Sequence, residues 1–207
     1  MTTKIGLIGD IHACAEPLQE ALSIFRKENV ALVLCVGDIA GYGMELEKTV
    51  ELLIQSDCTA ISGNHDIWFL DSSPEKTGNF VGKYLSQLPS IWESVIEGMH
   101  LYAVHRCPPQ LMSKGIRLLD ENGRVLRRER ERWEDQLRGY PFDVLIVGHT
   151  HQVFAEQLGD KLVVNPGSTK FNHTCAIMSL PGKEIRIFPL SGKEPLKSWN
   201  WGMMYRR

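Results

Sequence analysis

Five short stretches carry side chains that can bind a metal ion: Asp10-Ile11-His12, Gly37-Asp38, Gly63-Asn64-His65-Asp66, His105-Arg106 and Gly148-His149-Thr150-His151. Of the seven histidines, five fall in these stretches, His100 lies beside one of them and His173 stands apart. Imidazole, carboxylate and amide oxygen together suit a borderline divalent ion such as Mn, Fe or Zn. A structural zinc site would want thiolates in closed sets of four. The candidate donors Asp10, His12, Asp38, Asn64, His105, His149 and His151 exceed what one ion needs if some positions stay open for water. Two ions sharing a carboxylate account for the excess, and Asp38, alone at its strand end, is the natural bridge. Two ions ~3.5–4 Å apart can clamp both oxygens of an in-line displacement and bring the pKa of a bound water towards ~7. Hydrolysis of a phosphate ester is the reaction that such a centre serves best. A single strand-end Gly-Asp is usually a turn or a cap. Five metal-binding stretches in matching positions are not accounted for that way.

The five stretches need elements that end together. Residues 5–8, 31–36 and 59–61 read as buried strands. Leu18, Ala21, Leu22 and Phe25 recur at helical spacing behind Pro17, and so do Leu46, Val50, Leu53 and Ile54, then Val81, Tyr84, Leu85 and Leu88. This β-α-β-α-β-α order predicts a largely parallel sheet with helices packed on it. The carboxyl ends of such strands share one edge, where ligands bind. After Pro89 the pattern changes. Residues 95–96 and 101–104 flank a Gly98 turn, residues 153–158 and 161–164 are joined by Gly159-Asp160, and residues 175–180 and 184–188 by Pro181-Gly182. Residues 144–147 are another buried strand. These hairpins point to a second, more antiparallel sheet in the second part of the chain. Residues 124–138 alternate in charge sign around Leu126, Trp133 and Leu137, which predicts a solvated helix with i,i+4 pairs rather than a nucleic-acid patch.

The 207 residues, 43% hydrophobic and 23% charged, suffice for a sizeable core, and a formal charge of −2 gives no general pull towards nucleic acid or acidic membranes. No run approaches the ~18 apolar residues of a membrane span, and residues 5–8 are too short for a signal-peptide core. Five scattered cysteines without a Cys-x-x-Cys pair fit a reducing, cytoplasmic compartment. Trp199 and Trp201 in the tail could pack on the core or on a partner, which leaves a homo-oligomer open.

Taken in order, the five motifs resemble those of the calcineurin-like metallophosphoesterases, in particular the compact bacterial and archaeal phosphodiesterase-like members. Asn165-Pro166-Gly167-Ser168 also resembles a segment of the bacterial members. The resemblance implies an α/β fold, a four-layer α/β/β/α sandwich with two mixed β-sheets flanked by helices, as one metallophosphoesterase domain over residues 1–207. It implies two divalent ions, Mn first, with Fe, Zn, Ni or Co as alternatives. Asp10, His12, Asp38 and His151 would hold one, and Asp38, Asn64, His105 and His149 the other. A metal-bridging hydroxide would attack phosphorus, His65 would donate a proton to the leaving oxygen, and Asp66 would fix the orientation of His65. A histidine suits that role because its pKa lies near working pH. Alternation in an extended segment would put His149 and His151 on one side. The family pattern instead splits them between neighbouring ions, with Gly148 letting the chain turn.

Some positions depart from the pattern. Ala13-Cys14 follow Asp10-Ile11-His12 where Gly-Asn is frequent, and Arg106 follows His105 where Gly is frequent. Arg106 could hold a phosphate or face solvent from a loop. Cys14 and Cys107 read as small buried residues. Protein phosphatases of this superfamily carry an Arg after Gly-Asp and another after Gly-Asn-His. Here Ile39-Ala40-Gly41-Tyr42-Gly43 and Asp66-Ile67-Trp68 stand there. That favours a small phosphodiester, or a broad range of phosphoesters, as substrate. A phosphomonoesterase or a dinucleoside polyphosphate hydrolase is the alternative. Gly41-Tyr42-Gly43 reads as a flexible loop, with Tyr42 stacking on substrate or sitting at the rim. From a different class, a non-catalytic scaffold like the retromer subunit of this fold would have an altered acid position, whereas His65 is present with every ligand.

Overall fold

A computed structural model describes residues 2–72, 78–108 and 114–199. The first half runs β1 (Thr3–Ile8), α1 (Ala15–Lys27), β2 (Leu32–Cys35), α2 (Leu46–Gln55), β3 (Thr59–Ala60), α3 (Asn64–Ser72) and α4 (Phe80–Ser86). The second runs β4 (Ile91–Ile96), β5 (Met99–Val104), α5 (Arg127–Leu137), β6 (Val144–Ile146), β7 (Val153–Leu158), β8 (Lys161–Pro166), β9 (Thr174–Leu180) and β10 (Glu184–Pro189). The strands form two mixed five-stranded sheets, β10-β9-β1-β2-β3 and β4-β5-β6-β8-β7.

Side-chain alternation along the strands sorts the core into layers. Ile5 and Leu7 of β1 join Leu34, Leu101, Val144, Ile146, Val164 and Met178 between the two sheets. The opposite face of the first sheet offers Ile8, Cys35 and Ile177 to Leu18, Leu22 and Phe25 of α1, Val50 and Leu53 of α2, and Val81 and Leu85 of α4. On the outer face of the second sheet, Leu145, Phe154 and Val163 pack with Trp133 and Leu137 of α5. The result is the expected four-layer α/β/β/α order. Phe25 shows how tightly α1 is seated. It lies over Gly6, where a Cβ would come within 2.8 Å of its ring. Phe25→Ala would cost ~3–5 kcal/mol in lost burial and cavity.

The sheets depart from expectation in one respect. The hairpin β9–β10 does not join the second sheet. It extends the first, with β9 antiparallel to β1 (Gly6 opposite Ile177). The reason is two-sided burial. Cys175 and Ile177 face the helices while Ala176 and Met178 face the other sheet, so β9 needs an interior position. The second sheet is correspondingly less antiparallel than expected, since β5, β6 and β8 run parallel. Helix α3, which begins at Asn64, was not foreseen either. Helix α5 carries the expected ion pairs, Arg127–Glu131 (2.8 Å) with Arg132–Glu129 (3.1 Å) and Arg138–Asp135 (2.7 Å) one residue closer in spacing. All five cysteines are free thiols; Cys107 is buried and Cys14 only partly so. No helix among the described residues is long and apolar enough to cross a membrane.

Candidate metal centre

The parallel strands of both sheets end at the same place. Ladders continue past the strands into the loops. Asp10 N–H donates to Gly37 O (2.9 Å), His12 N–H to Asp38 O (3.0 Å), and Gly148 N–H to His105 O (3.0 Å). There the backbone turns sharply. Asp10 (φ 49°), His12 (52°), Asp38 (53°), His149 (68°) and His151 (48°) all adopt the left-handed region, which non-glycine residues rarely enter. Such strain costs roughly 1–3 kcal/mol per residue and persists only where the surroundings enforce it.

The enforcing contacts come from residues whose importance the sequence reading missed. Ser168 Oγ donates to Asp10 O (2.5 Å) and Asn172 Nδ2 to His151 O (2.9 Å). Asn165 Nδ2 donates to Gly148 O (3.0 Å). Asn165 and Ser168 lie in the Asn-Pro-Gly-Ser segment noted above, which was the available signal. Asn172 gave none.

Two donor clusters result, and His149 and His151 fall in different ones. Asp10, His12 and His151 form one, and Asp38, His105 and His149 the other. Asp38 also converges with His12 and His65, so its carboxylate reaches towards both; within each set the donor atoms lie within 4.8 Å of one another. In the first cluster His151 Nε2 is 3.3 Å from Asp10 Oδ1 and 3.1 Å from His12 Nε2. In the second, His105 Nε2 is 3.3 Å from Asp38 Oδ2. The chain turns tightly from Gly148, whose carbonyl accepts from Thr150 N–H (2.7 Å), and the left-handed conformations fall on His149 and His151 rather than on the glycine. Gly148 also provides space: a Cβ there would lie 2.9 Å from Asp10 Oδ2 and 3.3 Å from His105 Nδ1.

The donors are set up for cations. His105 Nδ1 is 2.6 Å from Val36 O and His12 Nδ1 is 3.3 Å from Ala40 O. These contacts put the ring proton on Nδ1 and aim Nε2 at the cluster, as a backbone carbonyl commonly does for a metal-bound histidine. Asn64 Oδ1 is buried with no hydrogen-bond partner, a costly state for an amide oxygen without a ligand. No cysteine takes part in any of the clusters. The nitrogen and oxygen set therefore fits a divalent ion such as Mn, Fe or Zn.

Electrostatics agree. Burial opposes ionisation of Asp10, but the charge and hydrogen bond of His151 outweigh it and hold the carboxyl below its usual range. Asp38 is likewise held low, with His105 overcoming its burial. Burial pushes His12 down to about 4. Burial, then the charges of His105 and Arg106, push His149 to about 4. These two rings are neutral at pH 7. His105 is the exception: despite burial, Asp38 raises it to about 9.

His65 sits at the mouth. Its backbone N–H donates to Asp38 Oδ1 (2.8 Å), and its ring lies 4.9 Å from that of His12. Burial first lowers its pKa, against the pull of Asp38 and Asp10. Asp66 does not orient this ring. Its oxygens accept from Ala40 N–H (2.7 Å) and Gly63 N–H (2.8 Å), and no hydrogen bond joins it to His65. Asp66 is the third residue of α3, and its bond to Gly63 N–H is half of a capping box. It ties the loop after β2 to the start of α3.

A cleft of about 530 Å³ opens over Asp38, Asn64, His65, His149 and His151. Its walls include Tyr42 and Trp68, half exposed, and Trp199. Tyr42 lies 4.7 Å ring to ring from His65. Its loop is clamped rather than loose. Gly43 N–H donates to His12 O (2.7 Å), and a Cβ on Gly41 (φ 142°) would collide with His12 Nδ1. Lys114, Arg117 and Arg132 line the outer cleft, all exposed, and the sequence reading had not singled them out for the site. Trp199 donates its backbone N–H to His151 O (3.0 Å) and packs on Phe171, so it serves the site's wall; Trp201 lies outside the described residues. Arg106 is buried and lines not this cleft but a smaller space beside Asn64 and His105.

Residues 3–181 match the family model of the calcineurin-like phosphoesterase superfamily domain. The phosphodiesterase MJ0936 of Methanocaldococcus jannaschii is 26% identical over 171 residues, covering 79% of this chain and 82% of that one. The uncharacterized protein MJ0912 of the same organism is 26% identical over 202 residues, covering 87% and 75%. Among solved structures, the hypothetical protein PH1004 of Pyrococcus horikoshii shares the fold with a TM-score of 0.71 at 16% identity, covering 98% of this chain and 91% of that one. The chain belongs to the calcineurin-like phosphoesterase superfamily, a family of metal-dependent phosphoester hydrolases.

Proposed function

We propose that the protein hydrolyses a phosphodiester at a centre of two divalent ions. Asp10, His12, Asp38 and His151 would hold one ion, and Asp38, Asn64, His105 and His149 the other. Mn is the favoured occupant, with Fe, Zn, Ni or Co as alternatives. The observation that carries the reading is the pair of buried donor clusters, with Asp38 reaching towards both. Bound there, the ions would polarise the phosphoryl oxygens and make a coordinated water acidic.

The chain's own residues supply the rest. The low pKa values of His12 and His149 keep their lone pairs available at neutral pH. His65 is tied through its backbone to the shared carboxylate, which fixes its ring at the cleft mouth. Burial disfavours its proton; a phosphoester's negative charge acts with Asp38 and Asp10 to retain it. The ring then delivers that proton to the leaving oxygen as the ester bond breaks. Tyr42, Trp68 and Trp199 offer flat surfaces to the ester group.

A diester is preferred because the cleft's cations, Lys114, Arg117 and Arg132, are exposed. Exposed cations compensate the second charge of a monoester weakly. MJ0936, similar over most of this chain, carries the name phosphodiesterase. The test is turnover by the Mn-loaded protein across a bis-aryl phosphodiester, an aryl monoester, a cyclic nucleotide and a dinucleoside polyphosphate. Diester turnover above monoester turnover is expected. Bound metal with no turnover of any of the four would sink the enzymatic reading.

A further inference from the structure

The smaller space beside the centre measures about 180 Å³ and is lined by Ser62, Gly63, Asn64, Ile67, Ser90 and Arg106, with Val104 and His105. It is smaller than the ~300 Å³ at which sites for whole ligands begin, so it suits one chemical group. Asn64 alone lines both this space and the main cleft. The two therefore meet at the position proposed for the second ion.

Arg106 is only 8% exposed. Among the described residues no carboxylate lies within ion-pair distance of its guanidinium, and it makes no hydrogen bond there. Buried charges are normally paired. None of the Arg106 nitrogens is among the fully enclosed unpartnered atoms, so the guanidinium can still be reached and can take a counter-charge. Guanidinium is planar, stays ionised and matches the oxygens of phosphate in a two-point contact. The exposed cations of the main cleft lie on the other lining.

We propose that the Arg106 cavity is a phosphate subsite, which receives a second, non-scissile phosphoryl group of the substrate while the scissile one sits at the metal clusters. This rests on the phosphoesterase reading and narrows it to esters that carry a further phosphate. Arg106 would then act in binding rather than in bond breaking.

Binding tests this without turnover. Mn-loaded protein is titrated calorimetrically with orthophosphate and with methylenediphosphonate, which presents two linked phosphoryl groups that cannot be hydrolysed. Arg106→Gln should weaken the diphosphonate about tenfold or more, as expected for losing a charge-assisted hydrogen bond, and orthophosphate by a clearly smaller factor. Arg106→Lys, which keeps the charge and loses the fork, should fall between wild type and Arg106→Gln. Diphosphonate should raise the melting temperature more in wild type than in either variant. Equal weakening of both probes would overturn the proposal, because Arg106 would then serve the scissile position. So would unchanged binding of both. Absence of turnover in the wild type would count against the enzymatic reading and leave these binding outcomes to decide the subsite.

Discussion

The Nε2 atoms of His12 and His151 face each other at 3.1 Å inside the protein. Without a cation, a proton on one of the two nitrogens must lie between them, since two bare lone pairs at that distance repel. A divalent ion would accept both lone pairs. His149 belongs to the other cluster. Metal analysis should therefore find two equivalents in wild type, one in His151→Ala, one in His149→Ala and fewer than one in the double variant. A double variant that retains a full equivalent would put both rings on a single ion and contradict the split.

Among the described residues His65 converges only with Asp38 and His12, outside the two clusters that contain His149 and His151. Its replacement should cost chemistry more than metal. His65→Ala is expected to lower kcat ~10²–10⁴-fold on an alkyl or nucleoside ester, and less on an ester whose leaving group needs no proton. The comparison is kcat for the two leaving groups at matched metal content. An equal loss on both would remove His65 from the role of proton donor.

His105 and Asp38 make the metal-free protein sensitive to pH. Asp38 raises His105 to about 9 from its ordinary 6.5. A raised folded-state value means that the pair's contribution to stability is complete below about 6.5 and is lost as pH rises through about 9. Metal-free melting temperatures should fall across that window, and less so in His105→Gln. Metal must also displace this proton. Calorimetry in buffers of different ionisation enthalpy should find about one proton released on loading at pH 7–8, since His12 and His149 are already neutral. Release of none would mean that His105 is not a ligand.

Asp66 is fully buried and accepts from two backbone amides, Ala40 and Gly63. Asn offers one oxygen and turns an NH₂ towards the other amide. Asp66→Asn should lower stability by ~1–3 kcal/mol, read from denaturant unfolding. Because Asp66 binds loops rather than the His65 ring, the loss should come with weaker metal retention. Full metal retention with the same fall in kcat as His65→Ala would instead restore a direct link to that ring.

The candidate donors were legible in the chain because each follows a short apolar run, and a run of buried residues announces a strand and its end locally. The same locality explains α1, α2, α4 and α5, whose apolar spacing is a property of neighbouring residues. Helix α3 escaped because its sequence, from Asn64 to Ser72, has little apolar asymmetry; its start is held by Asp66 on Gly63. Sheet membership of β9 and β10 also escaped, since a hairpin looks the same in either sheet and only packing against both cores decides. Residue types and order alone determined that nitrogen and oxygen donors would gather at strand ends. The tertiary structure decided which donors share a cluster, through left-handed turns at His149 and His151 that histidine's mild tolerance of that region permits but does not place. It also placed Arg106 beside a separate cavity, because burial of a side chain depends on everything folded around it.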